Sequence, residues 1–190
     1  MNYHDVPGYF DFEGFYSEVA TAAPPGSVLV EVGAWLGRSV IYLAEHVAAL
    51  GKKDIRIFAV DTWRGSIEHC PEDQALIQKH YGHIWHQFVN NVRACGVSHL
   101  ITPMCLPSLE AVKYFEDARA FMVYIDAQHA YEPVKADIAA WRPKVQPGGY
   151  FAGHDYGWGG PGLVKRAVDE SFPQGVRLTG ACANTWVARV

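Results

Sequence analysis

Acidic and imidazole side chains stand where short apolar runs of this sequence stop. Asp61 closes the run 55–60, Asp126 closes 121–125, and His154-Asp155 follow 150–152 after one glycine. A fourth acid, Glu31, lies at the end of the run 27–32, just before Gly33. Any one of them reads equally well as a helix cap or a turn residue. Four at the ends of apolar strands favour a shared site, because open α/β sheets bind ligands beyond the carboxyl ends of their strands.

The runs that carry these residues alternate with helical patterns, the signature of a parallel sheet with crossover helices. Strands are expected at 27–32, 55–60, 100–106, 121–125, 150–152, 175–178 and 183–188. One helix is predicted where Val40, Leu43, Ala44, Val47 and Leu50 form a stripe that Gly51 stops. A second follows the spacing of Ile84, Phe88, Val92 and Cys95 up to Gly96. Others are expected at 109–115, at 132–145 before Pro147-Gly148-Gly149, and at about 161–172. Seven strands and five or six helices fit the length, with 62–96 as a polar and aromatic section between them.

Composition narrows the classes. A chain of 190 residues that is 49% hydrophobic can fold around its own core and is not disordered. It holds no apolar run near the roughly 20 residues a membrane span needs. The net charge is −4, and the longest basic run is Lys52-Lys53, which argues against a partner bound through its phosphates. Cys70, Cys95, Cys105 and Cys182 are widely spaced and read as buried thiols. The N-terminus lacks the pattern of a signal peptide, so a cytoplasmic protein is expected.

Between the first strand and its helix runs Glu31-Val-Gly-Ala-Trp-Leu-Gly-Arg-Ser39. Its glycines allow close backbone approach, and a helix N-terminus follows. Trp35 stands where a dinucleotide loop needs its second glycine, which disfavours a nicotinamide oxidoreductase. Asp61 suits a ribose diol, hence a nucleoside-containing ligand. A serine hydrolase is disfavoured by the absence of G-x-S-x-G.

Together, Glu31-x-Gly33-x-x-x-Gly37-x-Ser39, Asp61, Asp126 and Pro147-Gly148-Gly149 resemble class I S-adenosylmethionine-dependent methyltransferases. The G-A-W-L-G-R-S loop is similar to that of the small metal-dependent catechol-type O-methyltransferases. Ala59-Val-Asp-Thr-Trp63-x-Gly65, Phe88-x-x-Asn91, Ile125-Asp-Ala-Gln-His-Ala-Tyr131-Glu132 and Gly153-His-Asp-Tyr156 resemble a bacterial and phage group related to macrolide and aminocoumarin sugar O-methyltransferases.

That resemblance implies a single Rossmann-like α/β domain over 1–190, with a mostly parallel seven-stranded sheet in the order 3-2-1-4-5-7-6. Residues 1–26 would form an N-terminal segment and helix, and 62–96 a lid. Glu31, Gly33, Ala34, Trp35, Gly37 and Ser39 would cradle the methionine part of the cofactor, Glu31 near its amino group. Asp61 and Thr62 would meet the ribose, Trp63 the adenosine and Ser108 the adenine. Asp126, also beside the cofactor, would bind a metal with His154 and Asp155. Mg²⁺ is the expected ion; the imidazole suits Mn²⁺, Fe²⁺ or Zn²⁺ as well. His129 stands where the catechol-type enzymes carry their catalytic lysine, and reads as a base or as an orienter of Asp126 or a water. Asp126 and His129 are thus the catalytic pair.

The implied reaction is O-methylation of a small hydroxylated acceptor, sugar-like or a natural product, without nucleic acid or membrane. Its alternative is a non-catalytic cofactor-binding module, motivated by Gln128 and His154. His69, His80, His83 and His86 fall in the variable section, and His83 with His86 lacks a third metal ligand. Trp85, Trp158 and Tyr9-Phe10-x-Phe12 read as packing residues, and 157–162 as a flexible gate. Short loops, the N-terminal segment or the second subunit of a homodimer would recognise the acceptor.

Overall fold

The computed structural model describes residues 1–66, 70–158 and 163–190. His69 and positions 159–162 of the glycine-rich stretch lie outside them. The elements run α1 (Glu13–Ala22), β1 (Val28–Val32), α2 (Arg38–Ala49), β2 (Arg56–Asp61), α3 (Pro71–Lys79), α4 (Trp85–Ala94) and β3 (Ile101–Cys105). Then follow α5 (Ser108–Ala111), β4 (Ala120–Ile125), α6 (Tyr131–Trp141), β5 (Val145–Gly153), α7 (Val164–Ser171), β6 (Arg177–Thr179) and β7 (Thr185–Arg189).

The sheet has the order β3-β2-β1-β4-β5-β7-β6. Its first five strands are parallel, and β7 runs antiparallel between β5 and β6. Strand order reverses between β1 and β4, so the crevice above those two strands is the place for a ligand.

Alternation along β1 sorts its side chains between two cores. Leu29 packs with α1, α2 and α4, while Val30 and Val32 pack with α6 and α7 on the other face. Glu31 shares the Leu29 side and is 1% exposed, so a carboxyl group enters the apolar layer. α2 follows from its stripe, with Val40, Leu43, Ala44 and Val47 all buried. Lys52 Nζ caps α1 by donating to the carbonyls of Ala20, Thr21 and Ala23, where the helix dipole favours a cation.

Three elements differ from the sequence expectation. α3 has one buried residue, Ile77, so its apolar periodicity was too sparse to read; Pro71 at its start and the acids Glu72 and Asp73 were the available signals. β5 runs through Pro147-Gly148-Gly149 rather than beginning after it, because a register shift against β4 takes up the irregular stretch. Cys105 and Cys182 are exposed and Cys70 and Cys95 half-buried, so none is the buried thiol expected; all four are free. No helix among the described residues is long and apolar enough to cross a membrane.

Candidate active site

The turn after β1 is fixed by backbone contacts. Gly33 N–H donates to the Val60 carbonyl, and Asp126 N–H to the Val32 carbonyl, tying together the ends of β1, β2 and β4. A Cβ on Gly33 would lie 1.8 Å from the Asp126 carbonyl oxygen, and its φ is +98°. Only glycine fits there. Trp35 and Trp63 both hold left-handed backbone, at φ +46° and +53°. Asp61 stabilises both, since Trp35 N–H donates to Oδ2 at 2.8 Å and Trp63 N–H to Oδ1 at 2.7 Å. The Trp63 indole then donates to the Trp35 carbonyl at 2.7 Å.

α4 braces the same turn. Phe88 packs beneath Gly37, where a Cβ would stand 3.0 Å from its ring, and Asn91 Nδ2 donates to the Leu36 carbonyl at 2.9 Å. The Phe88-x-x-Asn91 motif thus supports the loop from behind. Glu31 lies behind it too: its oxygens accept from Ser39 Oγ at 2.6 Å and Tyr16 Oη at 2.7 Å. Burial pushes its pKa up to about 8 against those two bonds.

The ends of β4 and β5 bring Asp126, His154 and Asp155 together, each offering a ligand atom within 4.8 Å of the others. His154 Nδ1 faces Asp155 Oδ1 at 3.3 Å and Asp126 Oδ1 at 3.8 Å. Its other nitrogen, Nε2, meets Asp11 Oδ1 at 2.7 Å. His129 Nε2 pairs with Asp155 Oδ2 at 2.9 Å, so this histidine addresses Asp155 rather than Asp126.

Burial raises the Asp126 carboxyl to about 6 despite its histidine neighbours. For His154 burial opposes charge, but the surrounding carboxylates outweigh it and lift its pKa to about 9. Burial opposes charge on Asp155 too, and the two histidines holding it drive its pKa well below the usual carboxylate range. Two carboxylates and an imidazole, which would release its proton on binding, form a donor set that fits a divalent cation.

Two chambers open on this cluster. One, of about 440 Å³, is lined by Asp61, Thr62, Ser108 and Asp137. The other, of about 530 Å³, is lined by Ser39, Arg38, His129, His154, Asp155 and Trp158. Gly33, Trp35, Asp126 and Ala127 line both. Both volumes suit small-molecule sites.

Most of the residues expected at the site therefore line one cleft: Gly33, Ala34, Trp35, Ser39, Asp61, Thr62, Ser108, Asp126, His129, His154 and Asp155. Three do not. Glu31 and Gly37 lie behind the loop, and Trp63 is fully buried against Trp85 and Phe88. Trp63 is a core residue that shapes the turn, because its left-handed backbone folds the indole inward. Trp85 and Phe12 pack as expected, whereas Tyr9 and Trp158 are 77% and 48% exposed at the second chamber. His83 contacts Cys105 at 3.6 Å and joins no three-ligand group among the described residues. The sequence reading missed Asp11, Asp137 and Asn184, whose Nδ2 reaches Asp155 Oδ1 at 3.4 Å. None ends an apolar strand, so none carried the signal that marked the others.

A family model described as a methyltransferase domain matches residues 30–156, which hold β1 through the Asp155 cluster. The chain belongs to this family. Among curated proteins, this methyltransferase-family chain is 32% identical over 129 residues to the uncharacterized protein y4gI of Sinorhizobium fredii strain NBRC 101917 / NGR234. That match covers 67% of the chain but 13% of the relative's length, so the chain spans a small part of that protein.

Solved structures share the fold. The O-methyltransferase NovP superposes with TM-score 0.66 at 18% identity, covering 93% of this chain and 78% of NovP. CalS11, a TDP-rhamnose 3′-O-methyltransferase of calicheamicin biosynthesis, gives 0.57 at 20% identity, covering 93% and 76%. An rRNA methylase from Streptococcus thermophilus gives 0.58 at 12% identity, covering 94% of each chain. The chain thus shares its fold with known methyltransferases.

Proposed function

We propose that this methyltransferase-family chain transfers a methyl group from S-adenosylmethionine to a hydroxyl of a small acceptor, with help from a divalent cation. The supporting observation is the shared wall of the two chambers. A nucleoside held beside Asp61 and Ser108 would share the wall of Gly33 and Asp126 with the second chamber, which the Asp126–His154–Asp155 cluster lines. Bound there, S-adenosylmethionine would supply an activated methyl group, and a cation held by Asp126, His154 and Asp155 would lower the acceptor hydroxyl's pKa.

The chain's own residues do the rest. Asp61 holds the turn through the Trp35 and Trp63 amides and lines the chamber on the side where ribose hydroxyls would lie. Ser39, hydrogen-bonded to Glu31, lines the second chamber and would stand near the cofactor's amino group. His129, with Asp155 as counter-charge, receives the acceptor's proton. Exposed Tyr9 and Trp158 line the acceptor chamber, and alignment of acceptor and methyl group there would supply much of the acceleration.

Titration calorimetry with S-adenosylmethionine and S-adenosylhomocysteine tests the cofactor. Binding of neither overturns the reading. Methyl transfer to a panel of hydroxylated acceptors, unchanged by chelator, would overturn the metal part alone.

A further inference from the structure

The nucleoside chamber contains a buried acid on α6 that the reading above does not use. Asp137 is 6% exposed and lines that chamber beside Ser108. Its Oδ1 accepts the Ser108 hydroxyl proton at 2.6 Å, and Ser108 Oγ in turn accepts from Trp141 Nε1 at 2.8 Å.

This chain of bonds decides what each group can offer a base. A serine hydroxyl has one proton, and that of Ser108 is committed to Asp137. Ser108 therefore donates nothing to a ligand in the chamber. Asp137 has a second carboxylate oxygen, and Ser108 is its hydrogen-bond donor among the described residues. The second oxygen is not sealed from solvent, and Asp137 lines this chamber, so that oxygen is available to a ligand there. Burial raises the Asp137 carboxyl above the usual range, against the Ser108 bond, and a ligand N–H donor would relieve that cost.

We propose that Asp137 is the base-reading residue of the nucleoside chamber: its free carboxylate oxygen accepts the exocyclic amino group of adenine, with Ser108 and Trp141 fixing the carboxylate's plane. The proposal rests on the cofactor reading given above. It predicts rejection of a base with a carbonyl at the same position, which would set oxygen against oxygen. Hydrogen bonds to charged groups are worth about 10- to 100-fold in affinity, and that is the discrimination expected.

The test is calorimetric binding of S-adenosylhomocysteine and S-inosylhomocysteine to the intact chain. The wild type should bind the inosine form about 10- to 100-fold more weakly. Asp137→Asn can still accept from Ser108 while turning an amide N–H to the chamber, so it should narrow or reverse that ratio. A purely structural residue would weaken both ligands in parallel and leave the ratio unchanged. Equal wild-type affinity for the two ligands, or an unchanged ratio in Asp137→Asn, overturns the proposal and leaves the cofactor reading standing. Binding of neither ligand overturns both.

Discussion

Asp11 Oδ1 and His154 Nε2 lie 2.7 Å apart, joining the N-terminal segment to the end of β5 across 143 residues of sequence. The bond fixes which imidazole nitrogen faces inward: with Nε2 held by Asp11, Nδ1 is left toward Asp126 and Asp155. A carboxylate behind a metal-binding histidine commonly orients the ring and raises its basicity. The segment is tied down on both sides. The Gly8 carbonyl accepts from Arg38 Nη1 at 3.0 Å, and the Asp11 carbonyl from Ala181 N–H at 3.1 Å.

Asp11→Ala is therefore expected to weaken Mn²⁺ binding by about 10- to 100-fold while leaving the fold intact. Titration calorimetry or electron paramagnetic resonance of Mn²⁺ reads the loss directly. Unchanged affinity in the variant would show that His154 needs no orienting partner.

Glu31 makes stability depend on pH. An unfolded glutamate releases its proton near 4.5, whereas the buried one keeps it to about 8. Between those values the folded state binds more protons than the unfolded state, so stability falls as pH rises and levels off above pH 8. The contribution is on the order of a few kcal/mol. Glu31→Gln, which keeps an acceptor for one of the Tyr16 and Ser39 hydroxyls and turns an amide N–H to the other, should flatten this slope. Urea midpoints from pH 4.5 to 9 provide the check; a parallel decline in wild type and variant would assign the slope to other groups.

Trp63 separates packing from ligand contact. Truncating a fully buried aromatic side chain costs about 3–5 kcal/mol, and here it also removes the indole bond to the Trp35 carbonyl. Trp63→Ala should lose stability of that order in chemical denaturation. Trp63→Phe should keep most of the core volume and bind S-adenosylhomocysteine with nearly wild-type affinity. A large affinity loss in the folded Trp63→Phe protein would return Trp63 to the ligand surface.

Trp63 also shows where sequence reading stopped. Apolar runs ending in acids marked the ends of β1, β2, β4 and β5, because strands buried on both faces tolerate polar residues only where they stop. Asp61, Asp126 and Asp155 were legible for that reason, and they do border one cleft. Which way Trp63 points depends on the left-handed backbone imposed by Asp61, and spacing carries no trace of that. Asp11 lies in a segment without periodicity, and its partner is set by packing alone. Asp137 sits within a helical pattern, where an acid reads as solvent-facing until α5 is seen to cover it.

His129 is the residue whose two roles kinetics can separate. It pairs with Asp155 and packs against Trp158, with ring centroids 4.7 Å apart, at the wall of the acceptor chamber. As the proton acceptor, its loss should lower kcat by about 10²- to 10⁴-fold while leaving Mn²⁺ and S-adenosylhomocysteine affinities nearly unchanged. As an orienter of Asp155, its loss should weaken Mn²⁺ binding first, with activity recovering at saturating metal. His129→Ala and His129→Gln, assayed across metal concentration and pH, distinguish these. The proton-acceptor role predicts that saturating metal does not restore the rate and that the acidic limb of the wild-type pH profile disappears in both variants. Recovery at saturating metal would leave proton removal to the surrounding carboxylates or water, with the cation lowering the hydroxyl's pKa.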